Sequence, residues 1–222
     1  MSELVTGKIK VYSSENESLS GEPIAIIDSP RSDNRFQAIP VGFDIFTSEK
    51  GQVIMMSEAR FLTPEFKLRE ENNKVPQMPK YSWQTGSLST YLLASDDSLT
   101  HISSDVLTGL NAEGGEIANC WVVYSDQMNV LWAANALSSS ISSFDIDSSG
   151  NATLKNVTAY KDKSELLFFS DIAVNETSTQ LFQLVGNKGQ VMIFTVENNG
   201  DLTLNQTVGG MPTLGTYGLV VL

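Results

Sequence analysis

The sequence predicts an all-β fold, a β-propeller built from four-stranded antiparallel blades, and three observations carry that expectation. First, the 222 residues combine 41% hydrophobic with only 18% charged side chains and are rich in Ser, Thr, Gly and Asn, a balance that favours strands joined by many turns. Second, a unit of about fifty residues recurs, as SSSISSFDIDSSGNATLKNV (138–157) and NKGQVMIFTVENNGDLTLNQT (187–207) show. In both, an apolar residue stands three before an aromatic one (Ile141 and Phe144; Val191 and Phe194), and a glycine follows six later (Gly150; Gly200). Third, a further pair of apolar strands precedes each such hairpin, so a unit holds four strands, the layout of a propeller blade.

The elements follow in chain order. Met1-Ser2-Glu3-Leu4 matches Met56-Ser57-Glu58-Ala59 and is expected to be the end of a second strand. GKIKVYSSENESLSGEPIAII forms a hairpin with Ile9 and Tyr12 in the apolar and aromatic places. VGFDIFT (41–47), QVIMMSEA (52–59) and the hairpin GSLSTYLLASDDSLTHIS complete a first full blade, with Leu88 and Tyr91 in those places. NCWVVYS (119–125) and NVLWAANA (129–136) open the next, and FFSDIAV (168–174) and TQLFQLVGN (179–187) the last. First strands are the most apolar and are expected to be the most buried. TYGLVVL (216–222) reads as one more first strand. Joined to MSEL it would give three complete blades and one composite blade, a closed ring of four within a single domain, 1–222. The alternative is an incomplete ring whose open edges pair with a second copy or another protein.

Residues 60–85 form an inserted loop, longer by roughly twenty residues than the matching connection at 136–139. Thr63-Pro64-Glu65 is a helix-start signal, and Pro76 and Pro79 would end that helix. The loop is expected to act either as a lid or partner-binding arm, or as an excursion with Phe61, Phe66 and Trp83 tucked against the blades.

Charge and composition exclude several classes of function. Against 14 basic residues stand 26 acidic ones, a net charge of −12 with no basic stripe, so nucleic acid is not an expected partner. The one cysteine, Cys120, cannot form an internal disulfide and sits in an apolar run, where a buried thiol is expected. No apolar run is long enough for a membrane helix. No cofactor or metal motif is present: phosphate-binding glycine loops, nucleophile elbows and calcium-loop spacings are all missing. Five N-x-S/T sequons, at Asn16, Asn151, Asn156, Asn175 and Asn205, leave the compartment open. A natural start at Met1 would suit the cytoplasm, and used sequons an extracellular setting.

PVGFDIF (40–46), MMSEAR, GSLSTY, ANCWVVYSDQMNVLWAANALSSSISSFDIDSSGNATL and GLVV resemble the seven-bladed lactonase-type propellers, which include phosphogluconolactonase and carboxymuconate lactonizing enzyme. The resemblance implies that the chain corresponds to the C-terminal part of such a ring. It also implies a lactone hydrolase or lactonizing cycloisomerase acting on a sugar acid or muconate-like acid, and it directs attention to the ends of the second strands.

In an antiparallel blade, first-strand starts and second-strand ends share one face, where ligands of ring-shaped β folds are commonly met. That face takes in Glu3, Glu58 and Asn135, with Asn187 as a further second-strand end, and Gly42, Asn119, Asp171 and Tyr217 at first-strand starts. Glu58 is the candidate general base, with hydrogen bonding to neighbouring backbone amides at the blade end as the rival role. Arg60 is the candidate clamp for a carboxylate or phosphate, with pairing to a neighbouring acid as its rival. Where the lactonase pattern carries arginine and histidine, this chain has Ala136, Leu137 and Ser138, and its one histidine, His101, lies on an outer strand. Catalysis is therefore not assured, and a binding or interaction scaffold is the favoured expectation. Its partners would be a small anionic or lactone ligand, another protein, or a second copy meeting an open edge.

Overall fold

The computed structural model describes residues 1–15, 18–30, 38–61, 84–108, 116–213 and 215–221. Seventeen strands run β1 (Ser2–Glu3), β2 (Lys8–Val11), β3 (Ser14–Glu15), β4 (Ser18–Leu19), β5 (Ala25–Asp28), β6 (Ile39–Ser48), β7 (Gly51–Phe61), β8 (Gln84–Ala94), β9 (Leu99–Leu107), β10 (Asn119–Ser125), β11 (Val130–Asn135), β12 (Ser140–Ile146), β13 (Ala152–Lys161), β14 (Phe169–Val174), β15 (Gln180–Val185), β16 (Gln190–Val196) and β17 (Leu202–Gly209). They form three four-stranded antiparallel blades, β6-β7-β8-β9, β10-β11-β12-β13 and β14-β15-β16-β17, preceded by a three-stranded sheet, β1-β2-β5, and the small β3-β4 ribbon. This is the all-β propeller arrangement, with the first strands β6, β10 and β14 packed side by side.

The period-two alternation builds the core. On β7, Val53 and Met55 face the third sheet and pack with Leu131, Ala133 and Phe144, while Ile54 and Met56 face the first sheet and pack with Ile9 and Tyr91. On β11, Leu131 and Ala133 face backwards and Trp132 and Ala134 forwards, towards Phe169, Leu181 and Phe194. Second strands are thus sandwiched between neighbouring sheets, and all six residues of β11 are buried. That corrects the expectation for first strands: β10 is half-buried over most of its length, and Phe43 and Ile45 of β6 are exposed by 45% and 41%. A first strand is the edge strand of its own sheet, paired along one side only, whereas a second strand lies between two paired neighbours.

Hydroxyls tie the first sheet to the second, and the second to the third, in the same register. Ser2 Oγ donates to Val41 O at 2.9 Å, and Ser57 Oγ, one repeat on, lies 2.8 Å from Cys120 O. The shared Met-Ser-Glu triplet therefore marks the same physical place in two sheets. The hairpin tips dock backwards: Gly150 O accepts from Thr90 Oγ1 at 2.7 Å, and Gly200 O accepts from Trp132 Nε1 at 3.0 Å. Both glycines have positive φ, 88° and 83°, and a Cβ on either would press on Val53 or Val130, the equivalent valines of the preceding blade.

Of the two architectures the sequence leaves open, the structure takes the unclosed arc. Residues 216–221 form no strand, and the first sheet gains no fourth member from them. They lie beside β14 instead, with Leu219 N donating to Asp171 Oδ2 at 2.7 Å and Ser170 Oγ donating to Thr216 O at 3.3 Å. Most of the inserted loop, with Phe66, Trp83 and the expected short helix, lies outside the described residues. Its base is a ladder, Arg60 opposite Thr85 and Phe61 opposite Gln84.

Candidate functional site

The alternation on β7 sends Glu58 and Arg60 to the same side as Ile54 and Met56, into the seam between the first and second sheets. Both side chains are fully buried. Glu58 Oε2 accepts hydrogen bonds from Ser87 Oγ at 2.6 Å and Ser89 Oγ at 2.9 Å, and Oε1 accepts from Tyr91 OH at 3.3 Å. These three donors alternate along one face of β8, opposite and beyond Glu58 in the ladder. Arg60 donates through Nε to Ser87 Oγ at 2.9 Å and through NH1 to Pro30 O at 3.1 Å, and its NH2 lies 3.4 Å from Glu58 Oε2 and 3.0 Å from Asp105 Oδ1.

Burial pushes the Glu58 carboxyl above the usual range, an effect opposed by the Arg60 guanidinium and the serine hydroxyls. Burial likewise pushes the Tyr91 phenol up, helped by the nearby Glu58 charge, so Tyr91 remains a donor. The partners of Glu58 are hydroxyl groups and Arg60, not the backbone amides expected for its rival role.

Asn119 extends this cluster, its Nδ2 donating to Ser87 O at 2.8 Å. Opposite it in the ladder stands Asn135, which belongs to a second polar cluster: its Nδ2 donates to Ser142 Oγ at 2.8 Å and Ser140 Oγ at 3.2 Å. Ser140 donates in turn to Glu116, which is 1% exposed, accepts from Thr158 Oγ1 at 2.9 Å and pairs with Lys161 Nζ at 3.2 Å. Sequence reasoning missed Glu116. The available signal was an acid standing shortly before an apolar first strand, in a connection to which strand periodicity does not apply.

The other candidates lie apart. Glu3 pairs with Lys10 at 2.5 Å and accepts from Thr6 Oγ1 at 2.6 Å, and hydrogen bonding to Lys10 holds its carboxyl below the ordinary value. Asp171 spends its carboxylate on the backbone N–H groups of Ile172 and Leu219, both at 2.8 Å or less. Tyr217, 62% exposed, stands edge-on to Phe168 at 6.2 Å, which repeats the Trp121–Phe168 contact at the same separation. Gly42 N donates to Ser57 Oγ at 3.0 Å. By register the equivalent of Glu58 and Asn135 in the last blade is Val185, not Asn187, which sits in the turn beyond β15 and bonds Phe168 N and Leu166 O. His101 is exposed and packs on Tyr91 with ring centroids 4.8 Å apart. Cys120 is half-buried rather than fully buried, with its thiol pushed up to about 11 by burial.

Among the described residues, no three His, Cys, Asp or Glu side chains converge as a metal site would need. Away from the buried acids, an apolar cleft of about 300 Å³ opens between the first and second sheets, walled by Ile9, Val11, Phe43, Ile45, Ile54 and Met56, with Lys10 at its rim. Chemically, the Glu58 carboxylate is met by three hydroxyl groups and the Arg60 guanidinium in a buried seam, whereas the cleft is open surface.

Comparison with known proteins gives a likeness in structure only. No family model matches the chain, and no curated protein matches it. Solved structures similar to it include a functionally unknown protein from Desulfotomaculum acetoxidans (TM-score 0.49, 13% identity, covering 95% of this chain and 66% of that one). A protein from Lactobacillus plantarum is similar over 96% of this chain and 68% of that one (TM-score 0.49, 13% identity). The periplasmic gluconolactonase PpgL of Pseudomonas aeruginosa is similar over 93% and 65% (TM-score 0.47, 13% identity). The chain thus spans about two thirds of the length of these proteins. At such identities and TM-scores nothing about activity passes from them to this chain.

Proposed function

We propose that this chain is a lactonase-like β-propeller module that works as a binding or interaction scaffold, with its mouth-face acids holding sheets together rather than turning over a substrate. The observation that carries this reading is the complete burial of Glu58 and Arg60, whose polar atoms are engaged by Ser87, Ser89, Tyr91, Asp105 and Pro30. A general base has to reach the proton it takes, directly or through one water. What the scaffold offers a partner is its open surface: the apolar cleft beside Phe43 and Ile45, and the exposed Tyr217. A small anionic or lactone ligand, another protein, or a second copy fits that role.

One observation favours the second reading, a lactone hydrolase or cycloisomerase with Glu58 as base and Arg60 as anion clamp. The raised proton affinity of Glu58 is the property acid–base catalysis needs. Proton release from a panel of sugar lactones, followed with wild type and Glu58→Gln, separates the two. The scaffold reading expects no turnover with either protein. Turnover by wild type that Glu58→Gln abolishes would overturn it.

A further inference from the structure

We propose that Asn205 is an acceptor for an N-linked glycan, and that it is the sequon this fold is shaped to carry occupied. Asn16 lies outside the described residues, and the structure divides the remaining four sequons by what their side chains already do. At Asn156, Nδ2 reaches Ser143 Oγ at 3.2 Å and Asp201 Oδ1 at 3.3 Å, while the sequon hydroxyl of Thr158 donates to the buried Glu116. A glycan there would replace one of the two Nδ2 hydrogens that serve these partners, and its transfer would need the Thr158 hydroxyl free of Glu116. Asn151 donates through Nδ2 to Asp147 Oδ2 at 2.8 Å, inside the tip that docks on the preceding blade. Asn175 organises its own turn: Oδ1 accepts from Thr179 N and Gln180 N, each at 2.9 Å, and Nδ2 lies 3.0 Å from Thr177 Oγ1, the sequon hydroxyl.

Asn205 is different on every count. Opposite β16, Phe194 faces Leu204 and Ile193 faces Gln206, so Asn205 is the extra residue of a β-bulge, without a partner across the ladder. Asn205, Gln206 and Thr207 are all exposed, and neither the Asn205 amide nor the Thr207 hydroxyl makes a hydrogen bond within the described residues. In the blade before, the bulge residue at that place is Lys155, between Leu154 and Asn156, so the two sequons differ by one position in register and by everything in access.

The donor is an oligosaccharide carried on a polyprenyl diphosphate. The Asn205 Nδ2–C1 glycosidic bond forms, the bond from C1 to the diphosphate oxygen breaks, and the lipid diphosphate leaves with the electron pair. The amide gives up one proton, and no oxidant or reductant takes part. The product has a physical use, because β17 is an outermost strand with Leu204 and Val208 exposed by 40% and 44%, a free edge that can pair with another chain. A glycan on its bulge would cover that edge.

The test is translation of the full chain behind a cleavable secretion leader into microsomes, and its secretion from eukaryotic cells, with each sequon scored by glycosidase release in heavy-oxygen water. Asn205 should carry a glycan in most translocated and secreted molecules, and Asn205→Gln and Thr207→Ala should each remove it. Secreted Thr207→Ala protein should also self-associate at lower concentration than wild type. An empty Asn205 in translocated chains overturns the proposal. So does secreted, folded protein in which Asn156 is occupied as fully as Asn205.

Discussion

Arg60 and Glu58 are two residues apart on β7, and neither can be removed without consequence for the other. Leaving a buried partner uncompensated typically costs about 3–5 kcal/mol, so Arg60→Ala should lower the unfolding free energy by about that amount in urea titration. An effect below about 1 kcal/mol, the level of an exposed pair, would show the seam to be wet. Glu58 adds a pH dependence whose sign follows from its raised proton affinity. The folded state holds this proton more tightly than the unfolded chain does, so the contribution is greatest where Glu58 is protonated. It is lost as pH rises from the ordinary glutamate range through the raised value. Wild type should therefore lose stability relative to Glu58→Gln as pH rises through that window, and a difference constant with pH would count against it. Sequence placed Glu58 near the end of a second strand, whereas Arg60, expected in the inserted loop 60–85, lies on β7, which runs on to Phe61. Sequence could not reveal that Pro30 and the first sheet close over the face they share, since this packing joins segments thirty residues apart through a connection without periodicity.

Strands carry a different lesson. The third-strand aromatics Tyr91, Phe144 and Phe194, which the repeat puts in one register, are all fully buried, and the second strands bury both faces. The sequence made the repeat legible but ranked the strands wrongly, because apolar content alone does not say whether a strand lies inside its sheet or at its edge. Trp132 shows what the sandwiched position is worth. Replacing it by alanine empties the space between two blades and removes the bond to Gly200 O, and should cost about 3–5 kcal/mol by denaturant unfolding. Gly150→Ala and Gly200→Ala test the docked tips. Positive φ alone should cost each about 1–2 kcal/mol, and Gly150→Ala should be the worse, because its Cβ would come within 2.8 Å of Val53 Cγ1 against 3.1 Å to Val130 Cγ2 for Gly200. Equal or negligible losses would mean that the tips do not bear on the valines.

On the scale of the molecule, the arc is held by contacts between adjacent sheets, and the terminal segment adds hydrogen bonds and one edge-on ring contact without a ladder. Deleting residues 216–222 should therefore lower stability by roughly 1–2 kcal/mol, which for a chain of this length shifts the melting midpoint by about 2–8 °C. Wholesale unfolding on that deletion would restore the closing role that the sequence suggested for TYGLVVL. The sequence could propose that closure because the segment reads as a strand. It could not weigh it, because strand pairing depends on which edge lies within reach.

The backward docking of the hairpin tips also sets an order in time. Gly150 reaches back to Thr90, and Gly200 to Trp132, so the first two blades are finished only by turns made 60 and 68 residues later. On the ribosome, the β10–β13 blade would emerge complete in its own strands yet keep the Trp132 indole N–H without its acceptor until the β16–β17 tip follows. Synthesis from the N-terminus thus runs in the direction that seals these two blades in turn, and a pause between Ile146 and Gly200 would leave the second of them open to wrong partners.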